Sequence, residues 1–156
     1  MNPHDDPREQ PAEHLRFAAY LRELAQVTDA EETAVVTKVL TDPDQTMARS
    51  AVLRHLDRRA TTLYLGPAFE PWAQALTQAA EHHPFLSRRL QEWSLLRAVI
   101  LGQPWRSGDL LESSDWLQHN AAATSDTKAL QILADSGRTK RIRNAARTNL
   151  AQPGNN

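Results

Sequence analysis

Thr33–Leu56 reads TAVVTKVLTDPDQTMARSAVLRHL, and 94 positions further on Thr127–Leu150 reads TKALQILADSGRTKRIRNAARTNL. Aligned, Thr33 meets Thr127, Val36 meets Leu130, Val39 meets Leu133, Arg49 meets Arg143, Ala51 meets Ala145 and Leu56 meets Leu150. Each stretch carries an apolar stripe at helical spacing, then a break containing Asp or Gly. A second segment follows with the pattern Arg-x-Ala-x-x-x-x-Leu. Self-similarity at a fixed offset is the mark of a repeated supersecondary unit. The unit here is two helices folded back on each other.

The rest of the chain reads the same way. Phe17, Tyr20, Leu21 and Leu24 fall at i, i+3, i+4 and i+7, one face of a helix beginning near Ala12. Asp29 stands three residues before Glu32, an Asp version of the capping box, and predicts the next helix start. Val35, Val36, Val39 and Leu40 form its stripe, and Asp42-Pro43-Asp44 stops it. A third helix is predicted over Thr46–Ala60, with Leu63-Tyr64-Leu65 extended after it. Trp72, Ala75, Leu76 and Ala79 mark a fourth, ending before Pro84. The fifth, Pro84 to Leu101, is apolar nearly all round in its second half and is predicted to be the most buried. Gly102 is placed to close it. Shorter helices follow, capped by Ser113 or Ser114 and by Ser125 or Asp126. The last runs from about Thr139 to Leu150, with Ile142, Ala145, Ala146 and Leu150 inward. No useful strand alternation occurs, and seven or eight helices are expected. Residues 1–12, with three prolines and three acids, predict a disordered acidic tail. A single all-helical domain is expected over 13–151, with a second tail at 152–156.

Composition removes several chemistries. With no cysteine there is no disulfide, thiol nucleophile or Cys-ligated metal. The N-terminus lacks an apolar core for a signal peptide. Apolar runs such as Ala98–Leu101 are far below the roughly 20 residues that span a bilayer. A cytoplasmic location and no membrane partner are expected. Lysine is confined to Lys38, Lys128 and Lys140, and alanine and arginine abound, usage typical of GC-rich bacterial genomes.

The paired units, with Arg49, Ala51 and Leu56 in one and Arg143, Ala145 and Leu150 in the other, resemble the HEAT-repeat family. The resemblance covers about 24 residues twice; the middle, 61–121, lacks the pattern. It implies antiparallel helix pairs in a short α-solenoid or a compact helical bundle. In that family a turn Asp and the Arg of the second helix commonly bond across neighbouring repeats, and Asp42 or Asp44 with Arg49, and Asp135 with Arg143, occupy those places. Family members commonly bind proteins. Some are DNA glycosylases that use an acid and tryptophans.

Candidate contacts lie near the C-terminus. Arg138, Lys140, Arg141, Arg143 and Arg147 run without an intervening acid, and such a face can meet an acidic protein or phosphates. Lys140, Arg141 and Arg147 are the expected partner-binding residues, and the loop around Trp105, an aromatic expected to be exposed after Pro104, is the second candidate surface. His82 and His83 point about 100° apart and are poor co-ligands. His55 and His83 lie on apolar faces, where a hydrogen-bonded core role is expected. Asp109, Glu112 and Asp115 suit caps and first-turn acids. No phosphate loop, nucleophile elbow or dinucleotide fingerprint occurs. The expectation is a non-enzymatic module without catalytic, metal or cofactor residues, whose partner is another protein. Nucleic acid is the alternative.

Overall fold

The computed structural model describes residues 9–152. Among them there are nine helices and no strand, so the chain is all-α. In order they are α1 (Glu9–Gln26), α2 (Glu32–Leu40), α3 (Gln45–Leu63), α4 (Phe69–Ala79), α5 (Pro84–Leu101), α6 (Ser107–Glu112), α7 (Asp115–Ala122), α8 (Thr127–Ser136) and α9 (Lys140–Leu150). The tail expected at 1–12 lies outside the described residues up to residue 8, while 9–12 belong to α1. The tail expected at 152–156 lies outside them from 153. The chain divides into two compact units, Met1–Arg88 and Arg89–Asn156.

In the first unit α1 and α2 pack on α3, and α4 packs on α2. The inward stripe of α3 is Ala48, Ala51, Val52, His55, Leu56 and Ala60, all buried. Four of these six are alanine or valine, so neighbouring helices come close. The turn into α3 follows from local chemistry. Asp44 caps it by accepting from the Met47 amide at 3.0 Å. Asp42 accepts from the Asp44 amide (2.9 Å), the Tyr20 hydroxyl (2.7 Å) and Arg16 Nε (3.2 Å), tying α1 to this turn. The Tyr20 hydrogen bond, then the Asp44 amide, hold the Asp42 carboxyl below its usual range. The same bond to Asp42, with burial, raises the Tyr20 phenol.

Two expectations for this unit change. Leu63-Tyr64-Leu65 is not extended. The Tyr64 amide still donates to Ala60 at 2.8 Å, so the α3 register persists until the turn at Gly66. The capping box also fails: Glu31 is the N-cap of α2 and makes no side-chain bond. Asp29 pairs with Arg59 instead, and Glu32 turns inward.

In the second unit α8 packs on α6, α7 and α9, and α7 on α9. Ser114, Asp126 and Thr139 each accept from the amide three residues on, at 3.2, 2.8 and 3.1 Å, and start α7, α8 and α9. α5 buries a stripe of Leu90, Trp93, Leu96 and Val99 rather than its whole circumference. Ile100 and Leu101 at its end are 39% and 42% exposed, which corrects the expectation for its second half. Gly102, at φ 68°, reverses the chain, and the Gln103 amide reaches back to Ala98 at 2.9 Å, a Schellman closure.

Gly137 ends α8 for a different reason. A Cβ there would lie 2.7 Å from the Leu133 carbonyl and 2.9 Å from Ile142 Cγ2. Only hydrogen fits where α8 hands over to α9. Replacing Gly137 with Ala should therefore cost about 1–3 kcal/mol through overpacking. Removing the Asp126 cap (Asp126→Ala) should cost about 1 kcal/mol. Urea unfolding of both variants checks the order; a Gly137→Ala protein as stable as the parent would contradict the steric account.

Candidate functional site

α9 carries most of the contacts expected from sequence. Its inward arc is Ile142 and Ala146, both buried, with Asn149. Asn149 Nδ2 donates to the carbonyls of Ala122 (3.1 Å) and Thr124 (2.8 Å), fastening α9 to the end of α7. Ala145 and Leu150, expected inward, are exposed. Ala145 sits about 60° round the helix from Ile142, on the flank of the arc. In the last turn Asn149 holds the inward place, leaving Leu150 outside it.

The basic residues separate by what they touch. Arg138 belongs to the scaffold: Nε reaches Asp115 (3.0 Å), Nη1 the Ser113 carbonyl (3.3 Å), and its amide Gln118 Oε1 (2.9 Å). Arg143 Nη1 donates to the Gly137 carbonyl at 2.8 Å, closing the turn before α9. Lys140, Arg141 and Arg147 are exposed and form no ion pair among the described residues. Arg147 leans on Asn144 at 3.3 Å. Lys140 and Arg147 share one strip, two turns or about 10 Å apart. Arg141 lies on the far side of Asn144, so the three span about 120° of the exposed arc. No acid occurs from Ser136 to Asn156, against five basic residues. Lys140 and Arg141 stand in the first turn, where the helix dipole is already positive.

Trp105 is half-buried rather than fully exposed, and Lys128 Nζ lies 4.4 Å over its ring. The other tryptophans are also engaged. Trp93 and Trp116 meet edge to face at 5.1 Å, Arg89 lies 3.9 Å over Trp116, and Trp72 donates to Glu32. Among the repeat positions, Ala51 and Leu56 are buried while Arg49 is exposed. The bond expected between a turn Asp and Arg49 does not form, because Asp42 is taken by Arg16 and Tyr20 and Asp44 by its cap. Arg143 likewise bonds Gly137 rather than Asp135.

The first unit holds a cluster that sequence reasoning missed. Glu32 is 3% exposed, and each carboxylate oxygen takes two donors. Oε2 accepts from His55 Nε2 (2.6 Å) and Arg59 Nε (3.1 Å); Oε1 accepts from Trp72 Nε1 (3.0 Å) and Arg59 Nη2 (3.4 Å). His55 is 2% exposed, and its Nδ1 faces Arg58 Nη2 at 2.9 Å. Arginine only donates, so Nδ1 is the acceptor and Nε2 carries the hydrogen directed at Glu32. The signal for Glu32 was present: it stands at i−4 from Val36 and i−7 from Val39, on the buried face of α2.

Burial alone would push the Glu32 carboxyl up, but hydrogen bonds from His55, Arg59 and Trp72 outweigh it and bring it down to about 2. A depressed carboxylate contributes stability above its unfolded pKa and loses it as pH falls through the folded one. Stability should therefore decline between about pH 4.5 and 2, with Glu32 contributing on the order of 3 kcal/mol of the change. Glu32→Gln should cost about 1–3 kcal/mol at pH 7, because an amide offers one acceptor oxygen where the carboxylate offered two and leaves buried donors of His55 or Trp72 unpaired, and its acid decline should be shallower. Urea midpoints across pH 2–7 for both proteins measure this; parallel declines would show that Glu32 is not the titrating group.

No protein family, characterised protein or solved structure matches the chain. Among the described residues no helix is long and apolar enough to cross a membrane, and no three metal-ligating side chains stand together.

Proposed function

We propose that this chain is a non-catalytic protein-binding or scaffolding module that works in the cytoplasm, with the outer arc of α9 as its contact surface for an acidic segment of a partner. The observation that carries this reading is the set Lys140, Arg141 and Arg147. These are exposed cations without ion pairs among the described residues, on a helix with no acid, beside two arginines already used by the scaffold. Basic residues at a helix N-terminus oppose the dipole at about 0.3–1 kcal/mol each. Features that lower stability without a packing benefit are characteristic of sites kept for binding.

A HEAT-like origin of the helix pairs is part of the proposal. Its support is that burial recurs at the offset of 94 beyond the residues that first suggested it: Ala48 and Ile142, and Val52 and Ala146, are buried alike. The missing Asp–Arg bond and the exposed Ala145 count against it. Nucleic acid is the second reading, favoured by the acid-free run. Lys128 over Trp105 argues against base stacking there, so such binding would rest on phosphates.

Charge reversal at Lys140, Arg141 and Arg147 to Glu separates function from folding. The triple variant should be as stable as the parent or slightly more so, because acids at 140 and 141 suit the helix N-terminus and outweigh the cost of one acid in the last turn at 147. It should bind an acidic peptide such as oligoglutamate at least tenfold more weakly at low salt. Duplex DNA titrated beside it decides between readings: tighter binding to DNA, with a log–log salt slope near −0.9 per phosphate contact, would put nucleic acid first. Unchanged binding of both probes would remove α9 as the site.

A further inference from the structure

We infer that the first unit binds a small amphiphilic carboxylate, an apolar chain ending in an acid, in a cavity between α1 and α3. The cavity has a volume of about 340 Å3 and is lined by Leu21, Leu24, Ala25, Arg54, His55 and Arg58. That is the lower end of the range for small-molecule sites. At roughly 30 Å3 per heavy atom, the space of a liquid water, it holds about ten to twelve.

Its lining is divided by chemistry. Leu21, Leu24 and Ala25 come from α1 and give an apolar wall. Arg54 and Arg58 come from α3 at i and i+4, neighbours on one helix face. Neither forms an ion pair among the described residues. Arg54 lies 5.9 Å over the Phe17 ring, and Arg58 Nη2 donates to the Leu24 carbonyl (3.2 Å) and to His55 Nδ1. Behind them the negative charge of Glu32 is already met by Arg59. Among the described residues, the cavity therefore faces two guanidinium groups that no carboxylate pairs.

Arg58 has donors to spare beyond its two contacts, and a guanidinium suits a carboxylate in the two-point manner. His55 is a positioning residue: held by Glu32 from one side, it steadies Arg58 from the other. A carboxylate between Arg54 and Arg58 leaves an attached alkyl chain lying along Leu21, Leu24 and Ala25. Acid and apolar body are both required, because the arginines alone are solvated and the wall alone is small.

The test is a calorimetric titration of the whole chain with sodium decanoate below its micellar concentration. Acetate and decyltrimethylammonium serve as controls. The expected result is saturable one-to-one binding of decanoate, with both controls at least tenfold weaker. Arg54→Ala removes an exposed side chain outside the core and should weaken binding about tenfold, the worth of one charge-assisted contact. Ala25→Trp fills the cavity from α1 and should abolish binding. Both variants should keep the parent's melting temperature without ligand. Absence of saturation, equal binding of the cationic amphiphile, or binding that survives Ala25→Trp would each overturn the inference. The α9 charge-reversed protein should still bind decanoate, so this result stands apart from the proposed docking surface.

Discussion

A buried carboxylate is expensive unless its acceptor sites are filled, because several kcal/mol of hydration are lost on burial. Glu32 meets that condition through three residues from two other helices: His55 and Arg59 on α3, and Trp72 on α4. One side chain of α2 thereby fixes the register of three helices at once. Apolar packing of Val36, Val39 and Leu56 supplies driving force but tolerates sliding. The charge does not, since a small displacement strands it. The same cluster extends outward: Arg59 reaches Asp29 in the loop before α2, and His55 reaches Arg58. Positions at the cavity mouth are thus inherited from the core.

The second unit solves the same problem mostly with neutral groups. Gln118, fully buried, donates to the carbonyls of Leu110 and Leu111 and accepts from the Arg138 amide, joining three segments with one amide side chain. Glu92, also buried, receives the Ser114 amide and hydroxyl, both at 2.8 Å, at the start of α7. Because the scaffold takes Arg138 and Arg143 but leaves Lys140, Arg141 and Arg147, this unit keeps uncommitted positive charge. Residues 1–88 hold nine basic and thirteen acidic residues; residues 89–156 hold nine and six. A net charge of −1 for the whole chain conceals that opposition.

Local chemistry was legible in the sequence wherever it decided the outcome. The proline turn at 42–44, caps at Ser113 or Ser114 and at Ser125 or Asp126 (Ser114 and Asp126 in the structure), the reversal at Gly102 and the stop at Gly137 were all readable, since each depends on its own few residues. What escaped was set by distant partners. Asp29 and Glu32 satisfy a capping rule, yet Arg59, thirty and twenty-seven positions away, draws both elsewhere. His55 was legible as a buried, hydrogen-bonded histidine, but its partners were not. The apolar end of α5 and the inward reading of Ala145 failed for one reason. Composition gives a helix's appetite for burial, while neighbours decide which arc is covered. Lys140, Arg141 and Arg147 could be named from sequence, but the partners that occupy Arg138 and Arg143 could not.

The account rests on the orientation of His55 between Glu32 and Arg58. Side-chain 15N shifts of the His55 ring at pH 8 measure that most directly. The account predicts a single, slowly exchanging tautomer with hydrogen on Nε2 and Nδ1 as acceptor. A ring with hydrogen on Nδ1, or one averaging both tautomers as a free histidine does, would contradict it.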